Sequence, residues 1–148
     1  VKNLVVSVQR QKRQMSVVLY NKTVSVPCIG LLDSGNLLTM PLSGNPVHIA
    51  DAALLQKLVD EKTVQKEIPY RALGNPQGKL QVYCMDGMKV ETEPAKFCDW
   101  KQVWVGCAEN GVLCNKPYQL ILHASVADHC GCTKRSIPND KKTEKGET

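Results

Sequence analysis

The chain has 148 residues, 43% of them hydrophobic, which suits one domain with a buried core and is short for two. Its net charge of +5 is dispersed, apart from Arg10-Gln11-Lys12-Arg13 and a Lys-rich end, and aromatics make up only 5%. That argues against a nucleic-acid platform, which needs a concentrated basic face with stacking aromatics. No run approaches the roughly 18 apolar residues of a membrane span, and no charged-apolar-small leader pattern opens the chain. It begins at Val1 and enters an alternating pattern within a few residues, as expected of a piece of a longer protein.

In chain order, Leu4 to Val8 and Val17 to Tyr20 alternate apolar and polar residues, and Asn21-Lys22 separates the second stretch from Thr23 to Val26. That pattern predicts hairpin strands. Cys28 to Leu32 reads as a buried strand ending at Asp33, with Ser34-Gly35-Asn36 as a tight loop. After a turn over Leu42 to Pro46, Val47-His48-Ile49 predicts a short strand with His48 on its surface. Asp51 is placed to cap a helix reaching to about Lys62, with Leu54, Leu55, Leu58 and Val59 on one face.

Ile68 to Arg71 and Leu80 to Tyr83 bracket Gly74-Asn75-Pro76-Gln77-Gly78, which predicts a projecting hairpin. Strands are expected at Met88 to Glu91, Gln102 to Gly106 and Tyr118 to Leu122, with Met85-Asp86-Gly87 as a turn. Trp100 and Trp104, four apart, are expected on one sheet face. From Cys130 onward the chain is rich in Lys, Glu, Thr, Gly and Pro and reads as a disordered tail, so the domain spans residues 1–129 and the tail 130–148.

Seven cysteines cannot pair completely within one chain, and reduced thiols are expected, with Cys28 as a small buried hydrophobe. Cys107 and Cys114 flank a turn and read as free. His123, His129, Cys130 and Cys132 cluster in sequence, but a Cys-x-Cys pair lacks the spacing of common zinc fingers.

An apolar strand running directly into Asp33-Ser34-Gly35 resembles the catalytic loop of aspartic proteases. The chemistry needs two carboxylates that share one proton: one acts as base on water while the other donates to the substrate carbonyl. No metal or cofactor takes part. Gly35 lets the backbone offer an N–H to the carboxylate, and the Ser34 hydroxyl is placed to bond to a facing loop. Asp-Ser-Gly is also an ordinary turn. The chain holds one such loop, so the second carboxylate must come from a second copy across a two-fold axis.

The order of elements resembles retropepsin-like acid proteases: strands, catalytic loop, helix, projecting hairpin, strands and a closing apolar segment. The fold that follows is mainly β, a barrel with one or two short helices, active as a two-fold homodimer. Its flap would be the hairpin, with Arg71, Ala72, Leu73, Gly74 and Asn75 as flap or substrate-binding residues. Arg71 reads equally as an ordinary surface arginine.

A closer resemblance lies in Gly30-Leu31-Leu32-Asp33-Ser34-Gly35-Asn36, Leu38-Thr39, Pro41 to Val47, Ile68 to Gly74 and Tyr118 to His123. Together these are similar to the protease domain of the sporulation sigma-E factor processing peptidase family. The resemblance implies an aspartic endopeptidase that removes the pro-sequence from an inactive sigma factor, pro-sigma-E, on the mother-cell side of a membrane protein. It also implies a membrane half preceding Val1 and a signalling-protein activator. His123 departs from the glycine common in retropepsin closing segments, and its larger side chain alters packing beside the catalytic loop.

Two other functions compete. One is a catalytically silent retropepsin-like module for dimerisation or partner binding, which would be indifferent to loss of Asp33. The other is a redox- or zinc-responsive regulator using the C-terminal cysteines, which metal analysis would reveal.

Overall fold

The computed structural model describes residues 12–72, 75–109 and 111–130. The expected strand at Leu4 to Val8 and the tail beyond Cys130 lie outside them.

Alternation in the first described strand, β1 (Lys12–Asn21), turns Met15, Val17, Leu19 and Asn21 inward. β1 pairs antiparallel with β2 (Val24–Asp33), with Asn21 opposite Val24. Lys22 in the link has φ 57, and its N–H donates to the Asp86 carboxylate at 2.7 Å. The predicted hairpin is present, and the two expected segments after it are one strand that runs through Pro27 to Asp33.

A long loop then leads to β3 (Val47–Ala50) and helix α1 (Ala52–Gln56). The Asp51 carboxylate accepts the Ala53 N–H, as the cap was predicted to do. The helix stops well short of Lys62. Beyond Gln56 the backbone tightens, with the Leu58 N–H donating to the Leu55 carbonyl, and Asp60 takes the Lys62 N–H. Leu54, Leu55 and Leu58 are all buried nonetheless, because the turn continues the apolar face that the helix begins.

β4 (Gln65–Ala72) and β5 (Asn75–Glu93) form the projecting hairpin. The ladder reaches to Tyr70 opposite Gly78 and Ala72 opposite Asn75, so Asn75 and Gly78, expected in the turn, belong to the strand. β6 (Lys96–Cys107) and β7 (Leu120–Leu122) complete the strands, followed by a 3-10 helix (Ala124–His129).

The strand order is β1-β2-β7-β3-β6-β5-β4, and β1 also pairs with β5. Six strands thus close into a ring and β4 extends from β5 as the outer arm of the hairpin. Closure removes the exposed edges that an open sheet would carry. The pairing is mixed: β2–β7 and β3–β6 are parallel, while β3–β7 is antiparallel. The mainly β barrel with short helices is as the sequence predicted.

The segment Met85-Asp86-Gly87 is a bend inside β5 instead of the turn expected there. Before it Met85 packs into the barrel core, and after it Met88 and Val90 do so, which switches the inward parity. β6 switches opposite it, from Trp100 to Val103 and Val105, with Gln102 at φ 54. The two tryptophans therefore do not share a face. Trp100 packs on the barrel core, and Trp104 packs on a second cluster of Met40, Val47, Ile68, Leu80 and Val82 at the base of the hairpin. Cys130 is buried in the main core, and Cys28, Cys84, Cys98, Cys107 and Cys114 are free thiols.

Candidate active site

Asp33 is the last residue of β2, and its position follows from what flanks that strand. β1 pairs along one edge, and the parallel β7 pairs along the other, setting Gly30 opposite Leu120 and Leu32 opposite Leu122. The end of β2 from Gly30 to Asp33 is buried at every residue, which explains why it reads as a continuous apolar run and not as an alternating strand. Gly30 is required by this closeness: a Cβ there would lie 2.9 Å from Val17 Cγ2 and 3.1 Å from Leu122 Cδ1.

At the strand end the chain reverses. The Asn36 N–H donates to the Asp33 carbonyl at 2.9 Å, and the Gly35 N–H donates to Asp33 Oδ1 at 2.9 Å. Asp33 is only 6% exposed, whereas Ser34 and Gly35 are exposed beside it. A carboxylate so held has one oxygen tied to the backbone, and the loop presents its hydroxyl and glycine outward.

Asn36 fixes the far side of the loop. Its Oδ1 accepts the Leu38 N–H at 3.2 Å, and its carbonyl accepts the Ala124 N–H at 2.9 Å. Leu37, next in the chain, is 70% exposed, an apolar side chain presented to solvent directly beside the loop.

Two histidines back the loop. The His123 N–H donates to His48 Nδ1 at 2.9 Å, which ties the end of β7 to β3. The sequence placed His48 on a strand surface, yet it is 4% exposed. β3 has neighbours on both edges and is covered, so alternation along it carries no surface signal. Burial, then the proximity of His123, pushes His48 down to about 3, so the ring is neutral at physiological pH.

His123 is the N-cap of the 3-10 helix, where its Nδ1 accepts the Ser125 N–H at 3.0 Å. Burial lowers its pKa, and the Leu37 carbonyl and Asp128 pull it partly back. Its Nε2 is sealed from solvent with no hydrogen-bond partner among the described residues. Nothing in the sequence pattern marks a histidine as a cap, which ordinarily is Ser, Thr, Asp or Asn.

Of the hairpin residues, the backbones of Arg71 and Ala72 close β4 and that of Asn75 opens β5, while Leu73 and Gly74 lie outside the described residues. His123, His129 and Cys130, clustered in sequence, make separate contacts. His123 caps a helix, the His129 ring meets Trp100 edge-on at 5.0 Å, and Cys130 Sγ lies 3.4 Å from Arg13 Nη2; Cys132 is outside the described residues. Among the described residues no group of three or more His, Cys, Asp or Glu side chains could hold a metal ion, and no helix is long and apolar enough to cross a membrane.

No curated protein and no solved structure matches the chain. One family model does, over residues 1–126, and it is described as Peptidase_U4, sporulation factor SpoIIGA. That span takes in β1 through β7, the Asp33 loop and the His48–His123 contact. The chain therefore belongs to the Peptidase_U4 family of sporulation proteases, the family of sporulation factor SpoIIGA.

Proposed function

We propose that this chain is one protomer of an aspartic endopeptidase that cleaves the pro-sequence from pro-sigma-E, with Asp33 of each protomer forming the catalytic pair. The observation that carries this reading is the buried Asp33 carboxylate at a strand end, held by the Gly35 N–H beside an exposed Ser34. A single such loop cannot supply two carboxylates, and a two-fold axis at the loop brings Asp33 to its own mate. One carboxylate then takes a proton from water as it attacks, while its partner gives a proton to the scissile carbonyl. Ser34 bonds across the axis to the facing loop, and Gly35 holds the Asp33 oxygen in place.

The β4–β5 hairpin, with Arg71, Ala72, Leu73, Gly74 and Asn75 at its end, closes over the substrate as a flap and excludes water. The protease lies on the mother-cell side of a membrane protein, and a signalling protein acts through that membrane part. No nucleic acid takes part.

The test is cleavage of purified pro-sigma-E by the wild-type domain and by Asp33→Asn. The variant should keep its fold and lose processing. Mixed with wild type in equal amounts, it should leave about a quarter of the dimers active if partners exchange at random. Undiminished cleavage by Asp33→Asn would place catalysis on another group, and no cleavage by the dimeric wild-type domain would mean a silent module. Activity falling only in proportion to the wild-type fraction would rule out a shared site.

A further inference from the structure

His48 has two ring nitrogens, and the fold uses one. Because Nδ1 accepts the His123 N–H, the single proton of the neutral ring sits on Nε2. Among the described residues nothing accepts that proton. Of the two histidines it is His123 whose Nε2 is sealed; His48 instead forms part of the wall of a cavity of about 350 Å³. That volume falls within the range of small-ligand sites.

The rest of the wall suits one class of occupant. Trp100 and Trp104 line it from either side of the β6 bend, with Val103 between them and Val126 opposite on the 3-10 helix. Lys101 also lines it, but its ammonium group is held by the Tyr20 hydroxyl at 2.7 Å and Asp99 at 3.1 Å. No carboxylate lines the cavity. Asn45, Gln102 and Ser125 add amide and hydroxyl groups to the wall, so polar groups beside tryptophan and aliphatic side chains match a peptide backbone that carries an apolar side chain.

We propose that this cavity is a second binding site, one that takes a short apolar peptide segment of a partner protein, with a peptide carbonyl accepting from His48 Nε2. The site is joined to the Asp33 loop by two contacts. His48 Nδ1 holds the His123 N–H, and the next residue, Ala124, donates its N–H to the Asn36 carbonyl. An occupant that draws on the His48 ring therefore alters the backing of the loop. Binding does not depend on Asp33 being catalytic, and the test reads it without a protease assay.

The experiment uses the full chain labelled with ¹⁵N and titrated with N-acetyl-leucine N-methylamide, observed by ¹H–¹⁵N NMR. Saturable shifts are expected at the Trp100 and Trp104 indoles and at His48 Nε2, together with the Asn36 and Ala124 amides. His48→Asn keeps an oxygen where Nδ1 accepts, but its shorter amide N–H falls short of the place of the Nε2 proton, and binding should weaken by roughly fivefold to tenfold, as expected of one hydrogen bond. Should that variant not fold, Asn45→Trp serves: Asn45 lies exposed on the cavity wall, and a large ring there blocks entry and abolishes the shifts. Absence of saturable shifts in the wild type, or unchanged affinity in both variants, would overturn the site. Shifts confined to the tryptophans and His48, with Asn36 and Ala124 silent, would overturn the link to the loop.

Discussion

Gly30→Ala perturbs the packing directly beneath the Asp33 loop. The added methyl would lie 2.9 Å from Val17 Cγ2 and 3.1 Å from Leu122 Cδ1. Leu122 can yield by a rotamer adjustment, but Val17 is fully buried and stiff about χ1, so the strand itself must give. Overpacking of this kind costs about 1–3 kcal/mol. For a domain of this size that lowers the melting temperature by roughly 4 °C for each kcal/mol.

A double-mutant cycle isolates the cause. Val17→Ala alone should cost roughly 2 kcal/mol through lost burial. Combined with Gly30→Ala it frees the space the new methyl needs, so the double variant should be more stable than the sum by about 1 kcal/mol. Urea unfolding of the four proteins measures each value. A Gly30→Ala variant as stable as wild type, or strict additivity with Val17→Ala, would refute the close-packing argument.

Other outcomes follow from the same geometry. Stability should fall as pH drops: His48 titrates near 3 when folded and near its ordinary 6.5 when unfolded, so the unfolded chain alone binds a proton between those values. The loss, fully absent above about pH 6.5, should reach on the order of 4 kcal/mol near pH 3, and His48→Asn should flatten it, as urea midpoints at several pH values would show. His123→Ala removes the cap of the 3-10 helix and should cost about 1 kcal/mol, whereas His123→Asn, which can accept the Ser125 N–H, should cost less; equal losses in chemical denaturation would count against the capping role. Gly87→Ala should drive the Tyr20 ring from its contacts with Asp99 and Lys101 and lower stability by about 1–3 kcal/mol, a loss that Tyr20→Ala should partly relieve in a thermal melt.

Much of the local architecture was legible from residue order. The alternation in Val17 to Tyr20, the turn residues after it and the apolar run into Asp33 mark a hairpin and a buried strand ending in a tight loop. Asp51 ahead of Leu54 and Leu55 marks a capped helix. These signals are local, because a side chain's face follows from its place in the strand or helix period.

What the sequence by itself determined is the β class, the hairpin at Asn21-Lys22, the projecting hairpin and the tight loop after Leu32. Only the tertiary structure decided that β5 bends at Asp86-Gly87 without ending, that Trp100 and Trp104 face different clusters, and that His48 is buried behind the loop. The reason is that closing six strands into a ring covers β3 on both edges and forces β5 and β6 to switch faces together. Such burial is set by neighbours distant in the chain, and no local period records it. Asp33 could be read from its own tripeptide; the histidine pair that backs its loop could not.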